Sequence, residues 1–407
     1  MAKEKRKNRL DKGSTGASSG EFLGFGAFAQ SQEIEPSSSS QSQSLIQWSP
    51  VYNGSVSHLS ILFKKIGQKR DGGTKSKALL DVQIFFDDAT QNKKEQVTAL
   101  THLVFLFHSR LVYDDFSSVR AAALSTLDSA RRRLPKVWKA LLERHKEVGG
   151  MIWCAQADPS FDVKSAAKDL SKSFSSDDWA GVWEYVSRIL AYSRPKVMFD
   201  ELFARKSGED TLADAEREQL DERFERVVGT ALSGLCLWIQ NFPEKDSFLY
   251  NSFITDQTVW KPLTSARNSF RLKSYQLLGA SCLHAKSIVY GPHGSPSLPT
   301  LLPNIVAQEK DPANVPYVFD VVLLYLAGGD SIGLDRGQLV KVINRMLKKA
   351  CFGASPLGWA PAILPLLVSV NDNSLIVSII SSLVRSCICC QDRLLSLFSS
   401  NALISFS

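Results

Sequence analysis

The sequence predicts an all-α fold of stacked helical repeats, and three observations predict it. The first is an echo. Asp114-Asp115-Phe116-Ser117-Ser118-Val119-Arg120-Ala121-Ala122-Ala123 returns as Asp158-Pro159-Ser160-Phe161-Asp162-Val163-Lys164-Ser165-Ala166-Ala167, each position 44 residues on. The second is periodicity. Apolar residues recur at steps of three and four from Val51 onward, and no convincing run alternates as a strand does. The third is length. The chain has 407 residues, more than one ordinary core holds, yet no compositional break divides it into globular halves. A helical repeat of about 40–47 residues is the HEAT/armadillo period, and such an array grows its core by addition. The predicted class is a HEAT/armadillo-like α-solenoid with a disordered amino-terminal leader.

Residues 1–50 form the leader. Lys3, Lys5, Arg6, Lys7, Arg9 and Lys12 make its start basic, and Ser37–Ser40 with the Gln-Ser alternation after it bury too little apolar area to offset ordering entropy. Phe22-Leu23-Gly24-Phe25-Gly26-Ala27-Phe28 stands out inside it. A short docking motif and incidental hydrophobes in a linker are equal readings of that stretch.

Residues 51–392 carry the repeats, about seven or eight repeat lengths. Ala78, Val82 and Phe85 mark one helix stripe. Val97, Leu100, Val104, Phe107 and Leu111 mark the next. Asp71-Gly72-Gly73 and Gly149-Gly150 read as breaks between helices. Val119, Ala123 and Leu127 mark the repeat helix, followed by Val137, Leu141 and Leu142. Asp114 and Asp158 suit helix caps, and Pro159 suits a first helical position. Val119 and Val163 point inward, and the bases after them, Arg120 and Lys164, face out beside the preceding turn in a mainly structural role. Thr211 to Gln240 reads as one long helix, charged early and apolar late. Ser265, Phe270, Arg271 and Ser274 repeat the internal spacing, out of phase with the first two copies. Gly291 to Ser297 is a loop, and helices resume near Leu301, Val315, Gln338, Trp359 and Leu375.

Little here points to catalysis. Cys387-Ile388-Cys389-Cys390 lacks the second ligand pair that zinc needs, so a packed or incidental cysteine cluster is the stronger reading. His102 and His108 sit six apart and project on different faces. Gly24-Phe25-Gly26 follows no strand, so it fails as a phosphate loop. The acids from Glu209 to Glu225 read as a solvated helix face. The seven cysteines follow no secreted framework, and the start has no apolar run of a signal peptide. Val321 to Ala327 is too short to span a bilayer. A reducing compartment and no membrane are expected. The net charge of +7 permits an anionic partner without demanding one. Lys64, Lys65, Lys69, Arg70, Lys75 and Lys77 cluster in the first two helices and their turn, and Arg131-Arg132-Arg133 ends the first repeat helix. Solvent exposure and the helix dipole explain them first; contact with RNA phosphates is the functional reading.

An ordered set of motifs resembles a known family. Phe22-Leu23-Gly24-Phe25-Gly26 comes first. Leu62-Phe63-Lys64-Lys65-Ile66 and Thr74-Lys75-Ser76-Lys77-Ala78-Leu79 follow. Then come Asp114 to Ala123, Leu134-Pro135-Lys136-Val137-Trp138-Lys139 and Trp153-Cys154-Ala155-Gln156-Ala157-Asp158. Glu216-Arg217-Glu218 with Phe224-Glu225-Arg226-Val227-Val228, and Cys351 to Pro356 ahead of Pro361 to Leu367, close the series. Over about residues 20–370 the chain resembles the amino-terminal region of listerin, the RING-type E3 ubiquitin ligase of ribosome-associated quality control. The resemblance implies a cytosolic arm, expected to be a monomer. It would dock on the large ribosomal subunit and on the quality-control factor that holds peptidyl-tRNA. Phe22, Phe25 and the cluster Lys64, Lys65, Lys69, Arg70, Lys75 and Lys77 are its candidate contacts. Zinc and an E2 ubiquitin-conjugating enzyme would be engaged only by the family's RING. The chain reaches Ser407 with no RING cysteine–histidine pattern, and residues 393–407 are expected to be a tail foreign to the family, the trace of a truncation. The alternative is a generic α-solenoid scaffold or transport adaptor.

Overall fold

Helix packs on helix throughout a computed structural model that describes residues 52–174, 176–202, 214–242, 256–284, 309–311 and 313–327, with single positions at 305, 377 and 381. No strand occurs among the described residues. The helices are α1 (Ser57–Gln68), α2 (Gly72–Asp87), α3 (Lys93–Ser109), α4 (Ser117–Arg133), α5 (Pro135–Arg144), α6 (Lys146–Ala155) and α7 (Phe161–Leu170). After these come α8 (Trp179–Ala191), α9 (Pro195–Leu202), α10 (Asp214–Asn241), α11 (Gln257–Trp260), α12 (Asn268–His284) and α13 (Val315–Ala327). The leader, the loop from Gly291 to Ser297, the helices near Leu301, Gln338, Trp359 and Leu375, and residues 393–407 lie outside the described residues.

Two rows stack into an α-solenoid. In one, α2 packs on α4 and α4 on α7. In the other, α3 meets α6 and α6 meets α8. The long α10 then packs across α6 and α8, with α12 against it and α13 against α12. One apolar core runs through all of these layers. Helix α3 is buried on every side from Gln96 to Phe107, except at Thr98. A helix apolar all round belongs in a core. Its stripe ends sooner than the spacing predicts, because Leu111 falls in a separate 3₁₀ turn, Leu111–Tyr113. On α2 the deeply buried aromatic is Phe86 rather than Phe85.

Local chemistry sets the joints. Asp71 caps α2, accepting from Thr74 N at 2.7 Å, and Asn92 caps α3, accepting from Lys94 N at 2.8 Å. Leu134 and His145 are single-residue joints on either side of α5, with nearly the same backbone (φ −128°, ψ 57° and φ −123°, ψ 65°). Pro135 disfavours the α region for Leu134, which ends α4 there. Gly149-Gly150 is not a break. Both residues lie inside α6. A Cβ on Gly150 would stand 2.2 Å from Gly181 O of α8, and one on Gly181 would stand 2.1 Å from Lys146 O. The glycines let two helix backbones touch. Gly234 does the same for α10, since its Cβ would lie 2.5 Å from Cys154 Sγ.

The repeat is held by a ladder that corrects the outward placement of Arg120. Its side chain turns inward and is buried. Nη1 donates to Asp114 O at 2.7 Å and Asp115 O at 3.1 Å, while Nε and Nη2 grip Asp158, 38 residues on, at 2.9 Å each. Arg271 repeats this atom for atom. It donates to Ser265 O and Ala266 O at 2.8 and 3.1 Å, and to Glu309, again 38 residues on, at 2.9 and 3.2 Å. Lys75 makes a simpler rung to Asp114. Bidentate arginine–carboxylate pairs fix orientation as well as distance, so each rung sets the angle between neighbouring repeats.

The acids work as turn makers rather than caps. Asp114 Oδ1 accepts from Phe116 N at 3.1 Å, and Asp158 Oδ1 from Ser160 N at 2.9 Å. Each helix starts three residues after its acid, so Pro159 precedes α7 instead of opening it. Lys164 is exposed, and the residue 38 further on is Leu202.

Candidate functional site

The amino-terminal edge gathers most of the exposed cations that the sequence singled out. Helix α1 buries Leu59, Leu62, Phe63 and Ile66. That spacing leaves Lys64 and Lys65 on its outer face, where both are exposed. Lys69 ends α1 in extended backbone (φ −72°, ψ 146°). Arg70 follows it into solvent, and Lys77 is exposed on the second turn of α2. Arg110 Nη1 donates to Gly67 O, which ties the end of α1 to the array. Asp71, an exposed acid in the same stretch, is engaged as the cap of α2. Its carboxyl lies below the usual range because the Thr74 side chain and backbone both donate to it. The edge is therefore positive.

Lys75 differs from its neighbours. It is half-buried and joined to Asp114, so it belongs to the ladder as well as to the cluster. Arg131, Arg132 and Arg133 also have local partners. Arg131 and Arg132 pair with Asp128 at 2.7 and 3.2 Å. Arg133 donates to Ala89 O at 2.9 Å and to Gln96 Oε1 at 3.3 Å. Phe22 and Phe25 lie outside the described residues, as does Cys387 to Cys390.

Interior polar groups serve architecture. Arg226 of α10 donates to Tyr113 O at 2.9 Å and Asp114 O at 3.0 Å, and stands 4.0 Å from Asp158. Burial, and then the charge of Arg120, pull its pKa down to about 10. Arg223 grips Asp115. Together they clamp the long helix onto the first repeat turn. Glu147 joins α6 to its neighbours: His108 lies 3.0 Å away and Arg188 pairs with it. Burial raises that carboxyl, but the contacts from His108 and Arg188 hold it below the usual range. Burial pushes the Cys154 thiol well up and the Cys236 thiol up to about 11, so neither is a ready thiolate. A cavity lined by Arg120, Met151, Asp158, Tyr185, Arg226 and Thr230 has room for about one water. No group of His, Cys, Asp and Glu that could hold a metal occurs among the described residues. No helix among them is long and apolar enough to cross a membrane.

The sequence reading missed Glu309, Arg226 and Gln96. Glu309 could have been found from Arg271 by the 38-residue step. Arg226 comes directly after the acidic run, Glu209 to Glu225, that reads as a solvated face. Gln96 is buried and donates to Phe85 O and Asp88 O at 3.3 Å each, closing the end of α2, a role with no sequence signature.

Comparison with known proteins places these features in a family. The family model for the E3 ubiquitin-protein ligase listerin N-terminal domain matches residues 53–369. The E3 ubiquitin-protein ligase listerin of Saccharomyces cerevisiae is 22% identical over 231 residues, which cover 54% of this chain and 14% of the yeast protein. The matched stretch is thus a small part of that relative.

Proposed function

The chain belongs to the listerin family, whose N-terminal domain it carries, and from that premise we propose that it is the docking arm of a listerin-type E3 ubiquitin ligase. In this reading the solenoid seats the ligase on large ribosomal subunits that still hold peptidyl-tRNA, in the cytosol. Lys64, Lys65, Lys69, Arg70 and Lys77 meet phosphates of ribosomal RNA. The factor that holds the peptidyl-tRNA is the second partner. Zinc, the E2 enzyme and ubiquitin transfer belong to the family's RING and not to the residues described above.

The observation that carries the proposal is five exposed cations within fourteen positions at one edge of a domain of this family. Lysine and arginine on an extended surface neutralise phosphate without reading sequence, which suits a large folded RNA. The ladder supports the same reading. A rigid repeat angle holds a long surface in one curvature against a large rigid partner.

Co-sedimentation with large subunits carrying peptidyl-tRNA tests it. Lys64→Glu with Lys65→Glu is expected to weaken binding at least tenfold and to leave the melting temperature unchanged. Full binding by that variant would remove the edge from the interface, and absence of binding by the unaltered chain would favour a scaffold or transport adaptor.

A further inference from the structure

The outer face of α2 carries a stripe that no helix among the described residues covers. Gly73, Lys77, Leu80, Ile84 and Asp87 follow one another at steps of four, three, four and three, and all five are exposed. Leu80 is 50% exposed and Ile84 66% exposed. Buried positions of the same helix, Ala78, Leu79, Val82 and Phe86, face the array. Leu80 and Ile84, one turn apart, form a small contiguous apolar patch, and contiguous apolar patches are where other segments bind.

Connections at this end of the molecule show which segment is near. Tyr52 donates to Glu95 Oε2 at 3.2 Å, and Ser55 N donates to Glu95 Oε1 at 3.1 Å. The adjacent Gln96 donates to Phe85 O and Phe86 O on the last turns of α2. The chain therefore enters the fold beside the carboxy-terminal end of α2, where Ile84 lies. Helix α1 begins there too, and its Ile61 is 54% exposed. The fifty residues before this point contain one aromatic cluster, Phe22 to Phe28. From Gly13 to Phe63 there is no lysine or arginine, while Glu21, Glu33 and Glu35 fall in that span. The segment is apolar and acidic; the face is apolar, with Lys77 toward its amino-terminal end and Asp87 at the other.

We propose that Phe22, Phe25 and Phe28 dock in cis on the α2 stripe, with Glu21 answering Lys77. Reach is not limiting. About two dozen residues separate Phe28 from Tyr52, and a coil of that length spans roughly 27 Å. Tethering raises the local concentration to the millimolar range, so a contact too weak to hold two separate molecules is populated within one. The docked segment covers Lys77, one of the five exposed cations of the edge. A polyanion that takes Lys77 competes with the leader for the same face.

Photo-crosslinking of the full chain tests the contact without ribosomes, and so independently of the docking role. Leu80 is replaced by benzoylphenylalanine, with Ile84 as a second site should the first variant misfold. A mixture of isotope-labelled and unlabelled protein separates adducts within one molecule from those between two. The expected product is an intramolecular adduct within residues 20–30. Its yield should fall at least fivefold when Phe22, Phe25 and Phe28 are all changed to Ser. Adducts between copies, adducts to any other segment, no adduct at either position, or a yield indifferent to the Ser changes would each overturn the proposal.

Discussion

The step between repeats at Arg120 and the step at Lys164 begin alike and end differently. Arg120 is drawn into the interior, donates to two carbonyls of its own turn and closes a bidentate pair with Asp158. Lys164, at the matched place in the next repeat, stays in solvent. The difference lies in what stands 38 residues later: an aspartate in one case, Leu202 in the other. Arg271 settles which feature matters. It sits far along the chain, out of phase with the first copies, yet it makes the same contacts because Glu309 stands 38 residues on. A base at the start of a repeat helix becomes structural when the following turn supplies an acid. The long helix α10 reinforces the rung that has its acid, since Arg226 and Arg223 reach back to Tyr113, Asp114 and Asp115.

Removing the deepest rung should cost most. Arg120→Ala leaves the Asp158 carboxylate buried without its main partner, and breaking one side of a buried pair costs about 3–5 kcal/mol. Urea unfolding reads this directly. Asp158→Ala combined with Arg120→Ala should cost clearly less than the two single changes summed, since both remove one interaction. If Arg120→Ala melted like the unaltered chain but lost its partner, Arg120 would be a contact residue and the ladder reading would be wrong.

Arg271→Ala should cost less, about 2 kcal/mol. Its side chain is 18% exposed against 6% for Arg120, so water screens part of the pair. The acid of this rung also gives it a pH signature. Burial alone would raise the Glu309 pKa, but hydrogen bonds from Arg271, Tyr275, the Asp311 N–H and Asn314 outweigh burial and bring it to about 2. An unfolded glutamate titrates near 4.3. A depressed acid contributes stability that is fully present above the unfolded value and is lost as pH falls through the folded one. Melting temperatures measured from pH 5 to pH 2 should therefore fall in the unaltered chain and fall less in Glu309→Gln. Equal slopes would show that the carboxylate is not held ionised by the rung.

The smallest effect belongs to Lys164. Lys164→Ala should change stability by no more than about 0.5 kcal/mol, as exposed substitutions away from any network do. A loss comparable to that of Arg271→Ala would mean that Lys164 finds a structural partner after all.

Much of the fold was legible because packing leaves periodic marks. Val119 and Val163, Ala123 and Ala167 are buried in matched places, and their spacing gave both the repeat and its helices. The long helix α10 was legible for the same reason, with burial beginning at Phe224. What escaped was any feature decided by a second helix. Gly149-Gly150 looked like a break because glycine ends helices, whereas the contact with Gly181 that requires it is not local. Arg120 and Lys164 looked equivalent because the acid that separates them lies a full repeat away. Of the exposed bases at the candidate edge, Lys64 and Lys65, the two on α1, could be read from its amphipathic spacing. The tie of Lys75 to Asp114 could not, since it depends on how α2 meets the turn before α4.

The most direct measurement is the salt dependence of binding to large subunits carrying peptidyl-tRNA, for the unaltered chain and for Lys64→Glu with Lys65→Glu. Each lost phosphate contact lowers the slope of log affinity against log salt by about one. The account predicts a slope shallower by about two in the variant, with unchanged melting. Identical slopes would contradict it, because the cations at this edge would then meet no phosphate.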